Sequence, residues 1–281
     1  MAAPVTELLV FSSTPDVAED NFVVPVLAAP LDDLPAKAVD HGFDGLEFLP
    51  NPHAIPDPET LRRAAAQAGA RVGVINTGRL RPKGYAILHR DAARRRDSID
   101  VFKRYIDLAG ALGGRVGLGM ARGDAETTVP APDLAAVMRD VFGEIAAHAA
   151  AAGTVVMLEP ADPGYVAAIL RVAEAREAAE AVASPGFSIM LDTYQLDQVE
   201  ESIEAGFAAA GGMGRHIHLY DPEHWPPGIR DGRRLDWAGV RAAMDRGGFS
   251  GSASTVLAPA GDLRAQARAS NAFIRTTLMA A

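Results

Sequence analysis

The chain has 281 residues, 48% hydrophobic and 22% charged, enough apolar material for the core of a single α/β domain spanning 1–281. A formal net charge of -9 argues against a nucleic-acid partner, which needs a basic surface, and the lack of cysteine excludes disulfides, thiolate metal sites and a cysteine nucleophile. No apolar run nears the length of a membrane span, and Met1-Ala2-Ala3-Pro4-Val5 lacks a basic segment leading an apolar one, so no membrane partner and a cytoplasmic location are expected.

In chain order, an apolar run over 8–12 reads as the first strand and 31–41 as the first helix. Strand 45–49 precedes helix 58–68, strand 72–76 precedes helix 90–112, and strand 115–119 precedes helix 131–152. The second half repeats the pattern: strand 154–159 and helix 165–182, strand 187–192 and helix 198–210, strand 215–220 and helix 237–246, strand 252–257 and helix 263–279. Glycines at 42, 69, 113, 153, 186 and 247 punctuate the helix-to-strand junctions, as helix C-caps do. Eight strand–helix units in series predict a (β/α)8 barrel. An open doubly wound sheet is the alternative, but it requires a glycine-rich turn after the first strand, and Phe11-Ser12-Ser13-Thr14-Pro15-Asp16 is not one.

Three of the runs end in groups that are costly to bury without a partner: Leu158-Glu159, Leu191-Asp192 and His216-Ile217-His218. Parallel barrel strands carry their chemistry on the C-terminal rim. Strand alternation puts Met157 with Glu159, Met190 with Asp192, and His216 with His218 on shared faces, so all three tips can enter the mouth. Two carboxylates and an imidazole make a credible site for a divalent metal. Such a cation fixes a carbonyl beside a hydroxyl, and a neighbouring carboxylate, here Glu159, moves the proton on the adjacent carbon.

Around this trio, Glu47, Asn76, Tyr165, Gln195, His224, Trp225 and Arg230 are candidate substrate contacts, and His216 and Asp221 are candidate supports for the ligands. Asp221 serves equally well as a turn cap. Arg79, Arg81 and Lys83 lie after the third strand, where they either bind an anionic substrate or are solvated, and Arg94-Arg95-Arg96 reads as an exposed helix face. No Gly-x-Ser-x-Gly, Walker loop or dinucleotide fingerprint is present, which disfavours acyl transfer, nucleotide hydrolysis and hydride transfer.

The order of Gly42-Phe43-Asp44-Gly45-Leu46-Glu47, Leu158-Glu159-Pro160, Leu191-Asp192-Thr193-Tyr194, His216-Ile217-His218-Leu219-Tyr220-Asp221, Pro226-Pro227-Gly228, Leu235-Asp236-Trp237 and Gly248-Phe249-Ser250-Gly251 resembles the xylose isomerase-like TIM barrels. That superfamily takes in sugar isomerases and epimerases, related dehydratases and AP endonuclease family 2. The resemblance implies a divalent cation (Mn2+, Mg2+ or Co2+) held by Glu159, Asp192, His218 and a second glutamate ending the eighth strand. That last position falls on Val256. The histidine usual three residues after the strand-six aspartate is Gln195, and a second glutamate of ketose epimerases is Tyr165. The expected function is therefore a metal-assisted isomerase or epimerase of a small polyhydroxy-carbonyl substrate. The alternatives are a metal-dependent lyase or dehydratase, and a degenerate barrel that binds a small molecule or serves as a subunit. Net charge and the lack of extra histidines disfavour the endonuclease branch. Related barrels are often dimers or tetramers, so a homo-oligomer is an open alternative to a monomer.

Overall fold

A computed structural model describes residues 3–15, 27–230 and 234–280. Eight parallel strands close into a barrel: β1 (Val5–Thr14), β3 (Gly45–Phe48), β4 (Arg71–Ile75), β5 (Arg115–Leu118), β6 (Val156–Leu158), β7 (Phe187–Asp192), β8 (Gly214–Leu219) and β9 (Gly251–Thr255). Each pairs with its neighbours in sequence, and β9 returns to β1 through Leu8↔Ala253 and Val10↔Thr255. A two-residue strand, β2 (Leu27–Ala28), adds to the end of β1 at Ser13 and Thr14. The barrel is the one expected from the alternating runs, and its closing β9–β1 pairing rules out an open doubly wound sheet.

Helices α1 (Leu34–Asp40), α2 (Pro58–Ala68), α3 (Ala92–Leu112), α4 (Ala131–Ala151), α5 (Val172–Val182), α6 (Thr193–Val199), α7 (Ile203–Ala210), α8 (Trp237–Arg246) and α9 (Leu263–Ile274) lie between and after the strands. None of the described helices is long and apolar enough to cross a membrane. Gly69 and Gly113 end α2 and α3 in the left-handed conformation, φ 64° and 69°, as their positions in sequence required. Two expected helices differ. The one read over 165–182 begins only at Val172, because 160–171 forms a loop that folds back over the rim, with the Ala161 amide bonded to the Ile169 carbonyl. The one read over 198–210 is two helices, since Ser202 caps a fresh start at α7 and α6 begins earlier, directly on Asp192.

The core has two layers. Outside the strands, Leu46, Phe48, Phe102, Ile106, Phe142 and Ile189 pack among the helices. Inside, Leu9, Val74, Met157 and Met190 form a small plug in the barrel. The plug sets the site. Residues two positions further along each strand point the same way, so Phe11, Asn76, Glu159 and Asp192 stand above the plug at the C-terminal mouth.

Candidate active site

The mouth encloses a pocket of about 130 Å3, several times the room that one water molecule needs. Glu159 follows β6, Asp192 ends β7 and His218 lies on β8, and all three line it. His218 Nδ1 sits 3.2 Å from Glu159 Oε1 and 3.5 Å from Asp192 Oδ2. One ligand atom from each residue lies within 4.8 Å of the others, a spacing and a donor set that fit a divalent cation of the Mg2+/Mn2+ kind.

Local folding explains each placement. Asp192 is the N-cap of α6, its Oδ1 accepting from the Tyr194 and Gln195 amides at 2.7 and 3.2 Å, which leaves Oδ2 for the site. Glu159 rests over Gly119, just past β5, where a Cβ would overlap its carboxylate and push it aside. Arg122, fully buried and unanticipated, donates to the backbone carbonyls of Leu118, Glu159 and Ile169. It ties the tip of β6 to the loop that follows. Burial draws its guanidinium down to about 10 against the opposing pull of Glu159 and Glu174.

Beneath the trio lies a second polar cluster. Glu47, at the end of β3 and 1% exposed, places its carboxylate 3.2 Å from His218 Nε2 and 3.3 Å from His216 Nε2. Asn76 Nδ2 donates to Glu47 Oε1 at 2.6 Å, while Ser252 and Ser254 hydroxyls hydrogen-bond the two nitrogens of His216 at 2.7 and 3.0 Å. Burial opposes the charge on Glu47, but the His218 and His216 imidazoles outweigh it and hold the carboxyl well below its usual range. Burial likewise opposes charge on His218, yet Glu47, Asp192 and Glu159 raise it well above the usual histidine value. His216 goes the other way, lowered chiefly by burial. Glu47, His216 and His218 also lie within 4.8 Å of one another, but this cluster is buried and its oxygens are already hydrogen-bonded. The upper trio, by contrast, lines the open pocket.

The remaining expected contacts divide. Asn76, Tyr165, Gln195 and His224 line the pocket with Glu47. Gln195 spends its Oε1 on the Asp162 amide, and Arg81 donates to the Tyr165 backbone carbonyl, so these two side chains hold the folded-back loop in place. Trp225 and Arg230, expected over the mouth, do not line the pocket; the guanidinium lies 5.3 Å above the indole and pairs with Glu223, a local arrangement of the turn. Asp221 does not reach His218. It is fully buried and accepts from the Gly228 and Leu235 amides and the Trp237 indole, organising the turn instead. Arg79, read as anion-binding or solvated, is 2% exposed beside Thr14 Oγ1.

Sequence reasoning also missed Ser12. It lines the pocket at φ 52°, in the left-handed region, and its buried hydroxyl has no hydrogen-bond partner among the described residues. Val256, just past β9, is fully buried with Tyr220, against which Phe11 and Tyr194 pack. The Phe11 ring meets His218 edge-on at 4.7 Å. This side of the mouth is aromatic and apolar.

No curated protein matches the chain in sequence. Among solved structures, a D-psicose 3-epimerase from Clostridium cellulolyticum H10, determined with D-tagatose, superposes with a TM-score of 0.77 at 16% identity, covering 98% of this chain and 100% of that one. A 3-keto-D-glucoside 4-epimerase from E. coli gives 0.75 at 19% identity over 95% and 99%. An AP endonuclease family 2 protein from Brucella melitensis gives 0.67 at 19% identity over 92% and 96%. At these identities the likeness is one of fold. The family model for the xylose isomerase-like TIM barrel matches residues 35–277, and the chain belongs to that family.

Proposed function

We propose that the protein is a divalent-metal-assisted epimerase or isomerase of a small polyhydroxy-carbonyl compound. The observation that carries this reading is the convergence of Glu159, Asp192 and His218 on the pocket in the barrel mouth. Those three residues would hold the cation, which supplies Lewis-acid stabilisation of the negative charge that develops when a proton leaves the carbon beside a carbonyl. Glu159 is the base for that proton: it lines the pocket, and Arg122 fixes the strand tip that carries it. The unpartnered Ser12 hydroxyl and Asn76 offer hydrogen bonds to substrate hydroxyls. Epimerases among the structural neighbours support the reaction class.

A second reading, a lyase expelling a β-hydroxyl, draws on Val256, since elimination needs one proton acceptor rather than two opposed carboxylates. One experiment separates them. Protein loaded with Mn2+ is incubated with ketoses of four to six carbons in deuterated water, and the products are read by NMR. Deuterium at the carbon next to the carbonyl together with an epimer or isomer supports the proposal; loss of water from the product supports the lyase; no reaction and no exchange refutes both.

A further inference from the structure

Inversion at a carbon needs a proton taken from one face and another given to the opposite face. The ionisable groups lining the pocket are Glu47, Glu159, Tyr165, Asp192, His218, Tyr220 and His224, and most are committed. Glu47 is hydrogen-bonded to Asn76 and lies against two imidazoles, Asp192 caps α6, His218 lies between three carboxylates, and burial raises the Tyr220 phenol well above its usual value. Besides Glu159, the base assigned above, Tyr165 and His224 remain. Of the last two, imidazole is the group matched to proton transfer near neutral pH.

His224 occupies an unusual place. Its ring stacks on Tyr194 at 4.0 Å and meets Tyr220 at 5.2 Å, the same two rings that pack with Val256. Neither ring nitrogen has a hydrogen-bond partner among the described residues. Glu223 and His224 are both left-handed, φ 63° and 59°, a conformation that non-glycine residues adopt only when the surroundings impose it. The turn anchored by Asp221 supplies those surroundings. Burial lowers the imidazole's affinity for a proton; Asp192 opposes this and His218 adds to it, while the facing phenols are Tyr194 and Tyr220. On the rim, Asp192 at the end of β7 separates Glu159, after β6, from His224, after β8.

We infer that His224 is the second proton-transferring residue of the pocket, reaching the substrate from the far side of Asp192 on the rim. This rests on the epimerase reading above. In one direction neutral His224 takes the proton from the carbon beside the carbonyl, so that a C–H bond breaks, an N–H bond forms, and the electron pair becomes the C=C bond of the enediolate. Protonated Glu159 then returns a proton to the opposite face, its O–H bond breaking as the new C–H bond forms. The pair ends as imidazolium and carboxylate and resets by exchange with solvent. The reverse reaction uses the same two groups with roles exchanged.

The test compares wild type with His224→Asn and His224→Gln, all loaded with Mn2+, on the same ketoses in deuterated water. Asparagine tolerates the left-handed backbone, so His224→Asn should melt with the wild type. The expected result is exchange without inversion: deuterium still enters one epimer within about tenfold of the wild-type rate, while conversion to the other falls about 100-fold or more. Equal loss of exchange and conversion in both variants, or a raised KM with kcat kept, overturns the inference and leaves His224 as a substrate contact. Wild-type conversion by the variants also overturns it, with the epimerase reading intact. A wild type that exchanges nothing overturns both.

Discussion

Replacing Glu47 by glutamine removes the charge at the centre of the buried cluster while keeping its shape. Glu47 lies against His218 at 3.2 Å and His216 at 3.3 Å, with all three side chains almost fully buried, so the change strips the buried His218 imidazolium of the counter-charge on its Nε2 side. Breaking one partner of a buried pair costs about 3–5 kcal/mol. At about 2.1 cal/mol/K per residue, 281 residues give an unfolding entropy of about 0.6 kcal/mol/K, so the melting temperature should fall by about 5–8 °C. The pH dependence has a definite sign. The lowered Glu47 carboxyl contributes stability above its unfolded value of about 4.3, lost as pH falls through its folded value. The raised His218 contributes stability below its unfolded value of about 6.5, lost as pH rises through its folded one. Thermal melts of metal-free wild type and Glu47→Gln should therefore differ most between about pH 4.3 and 6.5, and the gap should narrow on the alkaline side. A variant as stable as wild type, or a gap that stays constant from pH 5 to pH 9, would refute the charged-pair account.

Three further outcomes follow from the same geometry. Glu159→Gln should lower kcat by at least about 100-fold with a melting temperature near that of wild type, since Gly119 and the Arg122 contact to its backbone remain; turnover that survives removes Glu159 from the chemistry. Val256→Glu, measured by calorimetric Mn2+ titration, should tighten binding by about tenfold or more because ligand charge sets affinity for hard cations, while the metal-free protein loses stability through a carboxylate buried beside Tyr220; unchanged affinity means this position does not reach the cation. Ser12→Ala should raise KM by about 2- to 10-fold, the worth of one neutral hydrogen bond, whereas Ser12→Gly should do the same and also stabilise the fold by relieving φ 52°. Equal KM for the three proteins would detach Ser12 from the substrate.

The barrel was legible because buried parallel strands read as short apolar runs and glycine marks where each helix stops. The trio was legible for a related reason: with a period of two, the residue after an inward Met157 or Met190 layer must enter the mouth. What escaped depends on long-range placement or on backbone conformation. Glu47 reads as one more rim acid until His216 and His218, some 170 positions away, are brought against it. Arg122 sits in an unremarkable Met-Ala-Arg-Gly turn, and only the carbonyls that converge on it from two other segments reveal its use. The left-handed states of Ser12 and His224 belong to residue types that give no such signal, unlike glycine. Trp225 and Arg230 were misplaced because their stacking on each other competes with facing the mouth. One clue was available and unused: Asp192-Thr193-Tyr194-Gln195 carries a helix N-cap, which would have started α6 at once and shown Asp192 serving two purposes.

On the proposed function, Glu159, Asp192 and His218 hold one divalent cation at the pocket floor. Crystals soaked in Mn2+ and measured at the manganese absorption edge test it directly. A single anomalous peak is expected within coordination distance of Glu159, Asp192 and His218 Nδ1, lost in His218→Ala. No peak, or a peak lodged instead among Glu47, His216 and His218 Nε2, would contradict it.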